Sequence, residues 1–151
     1  MDTYDTLNRV LVKLFNDILE LEEKAIITGE FKDISVNDMH IIEAIGIGEG
    51  KNMSTIAKAV GITVGSLTIA MNGLVKKEYV TRERSEGDRR VVYIKLTEKG
   101  ERALHHHAHF HKQMIDAIVK ELSEDEIPMV TKVLDELDHF FLTFKAKEET
   151  Q

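Results

Sequence analysis

The stretch MSTIAKAVGITVGSLTIAMNGLVKKEYVTRERSEGDRRVVYIKLTEKG, Met53 to Gly100, decides the fold: it reads as two short helices, then a charged β-hairpin that runs into a longer helix. Val80, Arg82 and Arg84 alternate, as do Val91, Tyr93 and Lys95, which is the period of paired strands. Between them Ser85-Glu-Gly-Asp88 supplies turn-forming residues, and Arg89 and Arg90 follow at the tip. A guanidinium fork there reaches phosphates or enters a minor groove, with Asp88 placed to hold one fork through a bidentate ion pair. A solvated hairpin with no ligand would use the same residues, so its meaning depends on what precedes it.

What precedes it is a helix-turn-helix pattern. Ser54 is the expected N-cap of the first helix, Ile56, Ala57 and Val60 form its inner face, and Gly61 is its left-handed stop. Thr63 then caps a second helix from Val64 to about Lys77, whose Leu67, Ala70, Met71 and Leu74 turn inward at helical spacing. Its outer face is Gly65, Ser66, Thr68, Ile69, Asn72, Gly73 and Lys76. Small, uncharged or hydrogen-bonding groups let a helix approach base edges, where acidic groups would be repelled. The expected DNA-contacting set is Ser54, Thr63, Gly65, Ser66, Thr68, Ile69, Asn72 and Lys76 with Arg82, Arg84, Asp88, Arg89 and Arg90 from the hairpin.

From Phe31 to the end of the hairpin helix, the chain resembles the MarR family of winged helix-turn-helix repressors. Its most specific marks are Asp88-Arg89-Arg90 and Leu96-Thr97-x-x-Gly100. The segment from Phe31 to Gly46, with Phe110-His111-Lys112, is similar more narrowly to members that regulate fatty-acid synthesis in Gram-positive bacteria. The resemblance implies a mainly α fold with a small β-hairpin wing, and a single MarR-type domain over 1–151. Within it, 34–97 would be the winged helix-turn-helix, with the helix-turn-helix motif at about 52–77, and 1–30 and 98–151 the dimerisation helices. Two departures stand out: many relatives carry a basic residue where this chain has Ile69 or Gly73, and a glycine where it has Glu78.

A net charge of −7 argues against a polyanionic partner only if it is evenly spread. Residues 51–95 hold nine basic and four acidic groups, +5 locally, and the rest of the chain carries −12. Screening over about 8 Å at physiological salt lets the local sign govern the contact. No cysteine is present, which fits a reducing cytoplasm, and no apolar run approaches the roughly 18 residues a membrane helix needs. The expectation is a cytoplasmic protein with no membrane partner and no enzymatic activity. Gly-rich phosphate loops and nucleophile elbows are missing, and Gly46-Ile-Gly-Glu-Gly50 has no strand leading into it, so it reads as a loop between helices.

Both ends are amphipathic. Leu7, Leu11, Leu14, Ile18, Leu21 and Ala25 alternate at intervals of four and three, and so do Val130, Val133, Leu137, Phe140 and Phe144. Ser123-Glu-Asp-Glu126 reads as a capping box for the last helix, with Pro128 just beyond the easiest position for proline. Such seams either pack within one subunit or join two, and the resemblance implies the second. A homodimer of that kind sets two recognition helices about 34 Å apart on a near-palindromic duplex operator. It further implies an effector pocket where the first, second and fifth helices meet, with Leu14, Phe15, Ile18, Leu21, Ile41, Ile45, Phe110 and Met114 as candidates. The implied effector is an acyl chain carried on acyl carrier protein, and no cofactor is required.

Five histidines between His105 and His111, with His40 and His139 elsewhere, form the other unusual cluster. His107 and His111 stand one helical turn apart, a spacing that lets two imidazoles bind one metal, although two ligands do not make a site. In zinc-sensing members of the family the corresponding positions would be Glu22, His40, His107 and His111. Polar histidines without a metal are the favoured reading, and a zinc-responsive repressor is the alternative. A helical interaction module that does not touch DNA is the alternative of a different class.

Overall fold

Capping chemistry sets most element boundaries in the structure, a computed structural model that describes residues 2–26 and 29–149. The chain falls into two units, residues 1–110 and 111–151. In the first, helix α1 (Thr3–Ile26) buries only Glu22 and Ile26. A 3₁₀ turn at Gly29–Phe31 leads to α2 (Val36–Ile45), which starts with a reciprocal capping box: Ser35 Oγ accepts from the Asp38 amide, and Asp38 accepts from the Ser35 amide.

Helix α3 (Met53–Val60) is capped by Asn52 and not, as expected, by Ser54. Asn52 Oδ1 accepts from the Thr55 amide at 2.8 Å, and Ser54 lies inside the first turn. The reason is an unexpected two-residue strand, β1 (Lys51–Asn52), which keeps the chain extended up to Asn52. Gly61 at φ 78° ends α3 in the left-handed conformation, and Thr63 caps α4 (Val64–Lys76) by accepting from the Ser66 amide.

Strands β2 (Val80–Arg84) and β3 (Val92–Leu96) pair antiparallel from Val80↔Leu96 to Arg84↔Val92, and β1 adds to the free side of β3, giving the order β1-β3-β2. A mainly helical chain with a small three-stranded sheet as its wing is therefore the architecture. Ile94 is the inward residue of β3 and joins Ile42, Ile56, Leu67, Met71 and Leu74 in one core. Burying that apolar surface, at about 25 cal/mol per Å², holds the helix-turn-helix against the sheet.

Helix α5 (Glu98–Glu121) starts where α4 and the wing end. Thr97 Oγ1 accepts from the Gly100 amide and donates to the Glu78 carbonyl, while the Thr97 amide donates to the Tyr79 carbonyl. A Cβ on Gly100 would lie 2.2 Å from the Tyr79 carbonyl oxygen, so only glycine fits this crossing. Tyr79 Oη in turn donates to Asp33, Lys99 lies 4.3 Å over the Tyr79 ring, and Arg102 pairs with Glu30. These contacts fasten the segment between α1 and α2 to the base of the wing.

In the second unit, α6 (Glu126–Glu148) follows a turn at Leu122–Asp125. The expected capping box is half made. Glu126 accepts from the Ser123 amide and from its hydroxyl, so that hydroxyl is spent as a donor. The Ser123 amide, with the hydroxyl, holds the Glu126 carboxyl below its ordinary range. No residue of α6 is buried, and Phe140, Phe141, Leu142 and Phe144 stand exposed. Among the described residues no single helix is long and apolar enough to cross a membrane.

Candidate nucleic-acid interface

Thr63, Gly65, Ser66, Thr68, Ile69, Asn72 and Lys76 all lie on the exposed side of α4, as their spacing implied. Their internal hydrogen bonds fix what each offers outward. Thr63 Oγ1 donates to Ser66 Oγ at 3.0 Å, which occupies one lone pair of Ser66 and leaves its own proton to donate. Thr68 spends its proton on the Val64 carbonyl at 2.8 Å, so it presents oxygen lone pairs and a methyl. Arg82 on β2 donates to Asn72 Oδ1, which engages the Asn72 oxygen and leaves its NH₂ to donate. The face therefore offers a donor at Ser66, an acceptor at Thr68, an aliphatic group at Ile69 and a donor at Asn72.

The wing carries charge. Arg84 and Arg89 are exposed, and the Arg90 side chain is 92% exposed while held to Asp88. That attachment departs from the expected bidentate fork. Asp88 Oδ1 accepts from both the backbone amide of Arg90 at 3.0 Å and its Nε at 3.2 Å, because the turn places those two donors side by side. The outer Nη groups of Arg90 are thereby left for a phosphate or a groove. Ser54 lies exposed on α3, close enough to share a cleft with Arg90.

A second constellation lies away from this face. Glu22, 3% exposed, places Oε1 at 3.1 Å from His107 Nε2 and 3.2 Å from His40 Nε2. Glu43, which spacing alone did not single out, adds an oxygen 3.6 Å from His107 Nε2. Its signal was its place three residues after His40 on α2, which puts both on one helix face. Ligand atoms of His40, Glu43 and His107 lie within 4.8 Å of one another, a nitrogen and oxygen donor set suited to a borderline divalent cation. His111 belongs to the second unit.

The expected effector residues divide. Ile41 and Ile45 are core residues at 2% exposure, Ile18, Phe110 and Met114 are half-buried, and Leu14, Phe15 and Leu21 are exposed. Among the basic side chains of α1 and α5, Lys13 pairs with Asp17 and Arg102 with Glu30.

Comparison with known proteins agrees with this geometry. A family profile described as the MarR family matches residues 32–91. The helix-turn-helix regulator YpoP of Bacillus subtilis is 30% identical over 70% of this chain and 69% of its own length. The crystal structure of Streptococcus pneumoniae FabT in complex with DNA superposes with a TM-score of 0.89 at 38% identity, over 93% of this chain and 99% of that one. MepR, a transcription regulator of the Staphylococcus aureus multidrug efflux pump MepA, shares the fold at a TM-score of 0.67 and 22% identity, over 93% of this chain and 99% of its own. With its capped recognition helix, arginine-tipped wing and close relation to FabT, the chain belongs to the MarR family of winged helix-turn-helix transcriptional regulators, which are not enzymes.

Proposed function

We propose that the chain is a cytoplasmic, homodimeric repressor that binds a near-palindromic duplex operator of fatty-acid synthesis genes, with acyl carrier protein bearing an acyl chain as its effector. The observation that carries the DNA reading is the outward chemistry of α4, which is free of acidic groups and flanked by the exposed arginines of the wing. Similarity to FabT over 93% of the chain supports the choice of genes. The uncovered Leu14, Phe15 and Leu21 of α1, beside half-buried Ile18, give an acyl chain apolar surface to occupy. Ile41 and Ile45 would serve as its inner wall.

The test is operator binding by fluorescence anisotropy with long-chain acylated carrier protein and with bare carrier protein. A several-fold shift in affinity with the acylated form alone is expected, and identical titrations would refute the effector assignment. Convergence of His40, Glu43 and His107 beside Glu22 favours a second reading, a zinc-responsive repressor in which those residues hold the ion. On that reading zinc shifts the same titration, and His107→Ala removes the shift.

A further inference from the structure

Ile69 is the most exposed large apolar side chain among the described residues, at 76%, and it stands in the middle of the recognition helix. Nothing in the fold asks for an isoleucine there. Gly65 and Gly73, one turn to either side on the same stripe, leave it standing clear. A Cβ on Gly73 would meet no atom within 4 Å, and one on Gly65 would meet only Thr63 Oγ1 at 3.9 Å. Neither has the positive φ that demands glycine, yet a glycine inside a helix costs about 1 kcal/mol against alanine. Three residues on from Ile69, and so on the same face, exposed Asn72 is held by Arg82 through its oxygen, which leaves its NH₂ to donate.

An aliphatic group beside a fixed donor matches one base edge. In the major groove thymine presents a C5-methyl next to the O4 acceptor, whereas cytosine presents a donor and no methyl. We infer that Ile69 and Asn72 together read thymine in each operator half-site, Ile69 packing on the C5-methyl and Asn72, positioned by Arg82, donating to O4. The assignment rests on the DNA-binding reading above.

The experiment uses the full chain and a duplex that it selects from a random-sequence pool, with each thymine replaced singly by uracil, which deletes only the methyl. One or two positions per half-site should lose affinity about three- to tenfold, as expected for one methyl returned to water. Ile69→Ala, at a site too exposed to affect folding, should bind thymine and uracil duplexes equally. At the same positions a 5-methylcytosine–guanine pair, which keeps the methyl and reverses the O4 acceptor to a donor, should bind more weakly than thymine. A flat uracil scan, or the same scan in Ile69→Ala, overturns the thymine assignment while leaving DNA binding intact. If the pool yields no bound duplex, the DNA-binding reading itself fails.

Discussion

Two residues at the junction of α4 and the wing show how much one backbone position can weigh. Glu78 has φ 66°, the only described non-glycine residue with a positive φ. Its amide donates to the Val75 carbonyl and the Tyr79 amide to the Leu74 carbonyl, the paired bonds of a Schellman stop, which requires a left-handed residue at Glu78. A side chain there costs about 1–2 kcal/mol, which a glycine would avoid. Glu78→Gly should therefore raise stability by about 1 kcal/mol after the extra freedom of the unfolded chain is counted, read as a higher urea midpoint at unchanged slope. The opposite holds at Gly100, whose Cβ would meet the Tyr79 carbonyl oxygen. Gly100→Ala should lose about 3 kcal/mol or more in the same measurement. Tyr79 itself titrates against stability. Burial, with the bond to Asp33 adding, pushes its phenol well above 10, so the folded state stays protonated where the unfolded chain ionises. Stability on this account is level below pH 10 and falls above it, and Tyr79→Phe should flatten that alkaline fall.

At the scale of elements, the helix-turn-helix and hairpin were legible because local chemistry punctuates them: Gly61 stops α3, Thr63 starts α4, and Ser85 to Asp88 reverse the chain. Strand β1 and the Asn52 cap were not, since two residues show no alternation and become a strand only by pairing with Ile94 and Tyr93, more than forty positions away. Apolar spacing on α1 was equally mute about burial, because a seam facing its own core and one left open share the same period. On the wing the roles of neighbouring arginines separate. Arg89 has no partner among the described residues, whereas Arg90 is steadied by Asp88. Arg89→Ala and Arg90→Ala should each weaken operator binding by about 1–3 kcal/mol and lower the salt slope by about one phosphate contact. Asp88→Ala should cost less and leave the salt slope in place, since it frees Arg90 without removing its charge. Titrations at several salt concentrations distinguish the two outcomes.

For the molecule as a whole, the exposed side chains of α6 form an uncovered apolar face, with Phe140 and Phe144 stacked at 6.1 Å. A monomer rarely leaves such a face to water. Phe144→Glu should shift sedimentation from dimer to monomer while far-UV circular dichroism stays unchanged, and a variant that stays dimeric would place the interface elsewhere. The uncovered face also bears on dosage. If two protomers must meet before an operator is held, then well below the dissociation constant of the pair, and with the operator unsaturated, occupancy falls as the square of protein concentration. In that regime halving the supply of the chain would cut operator occupancy nearly fourfold, so genes under such an operator would respond steeply to its dilution during growth.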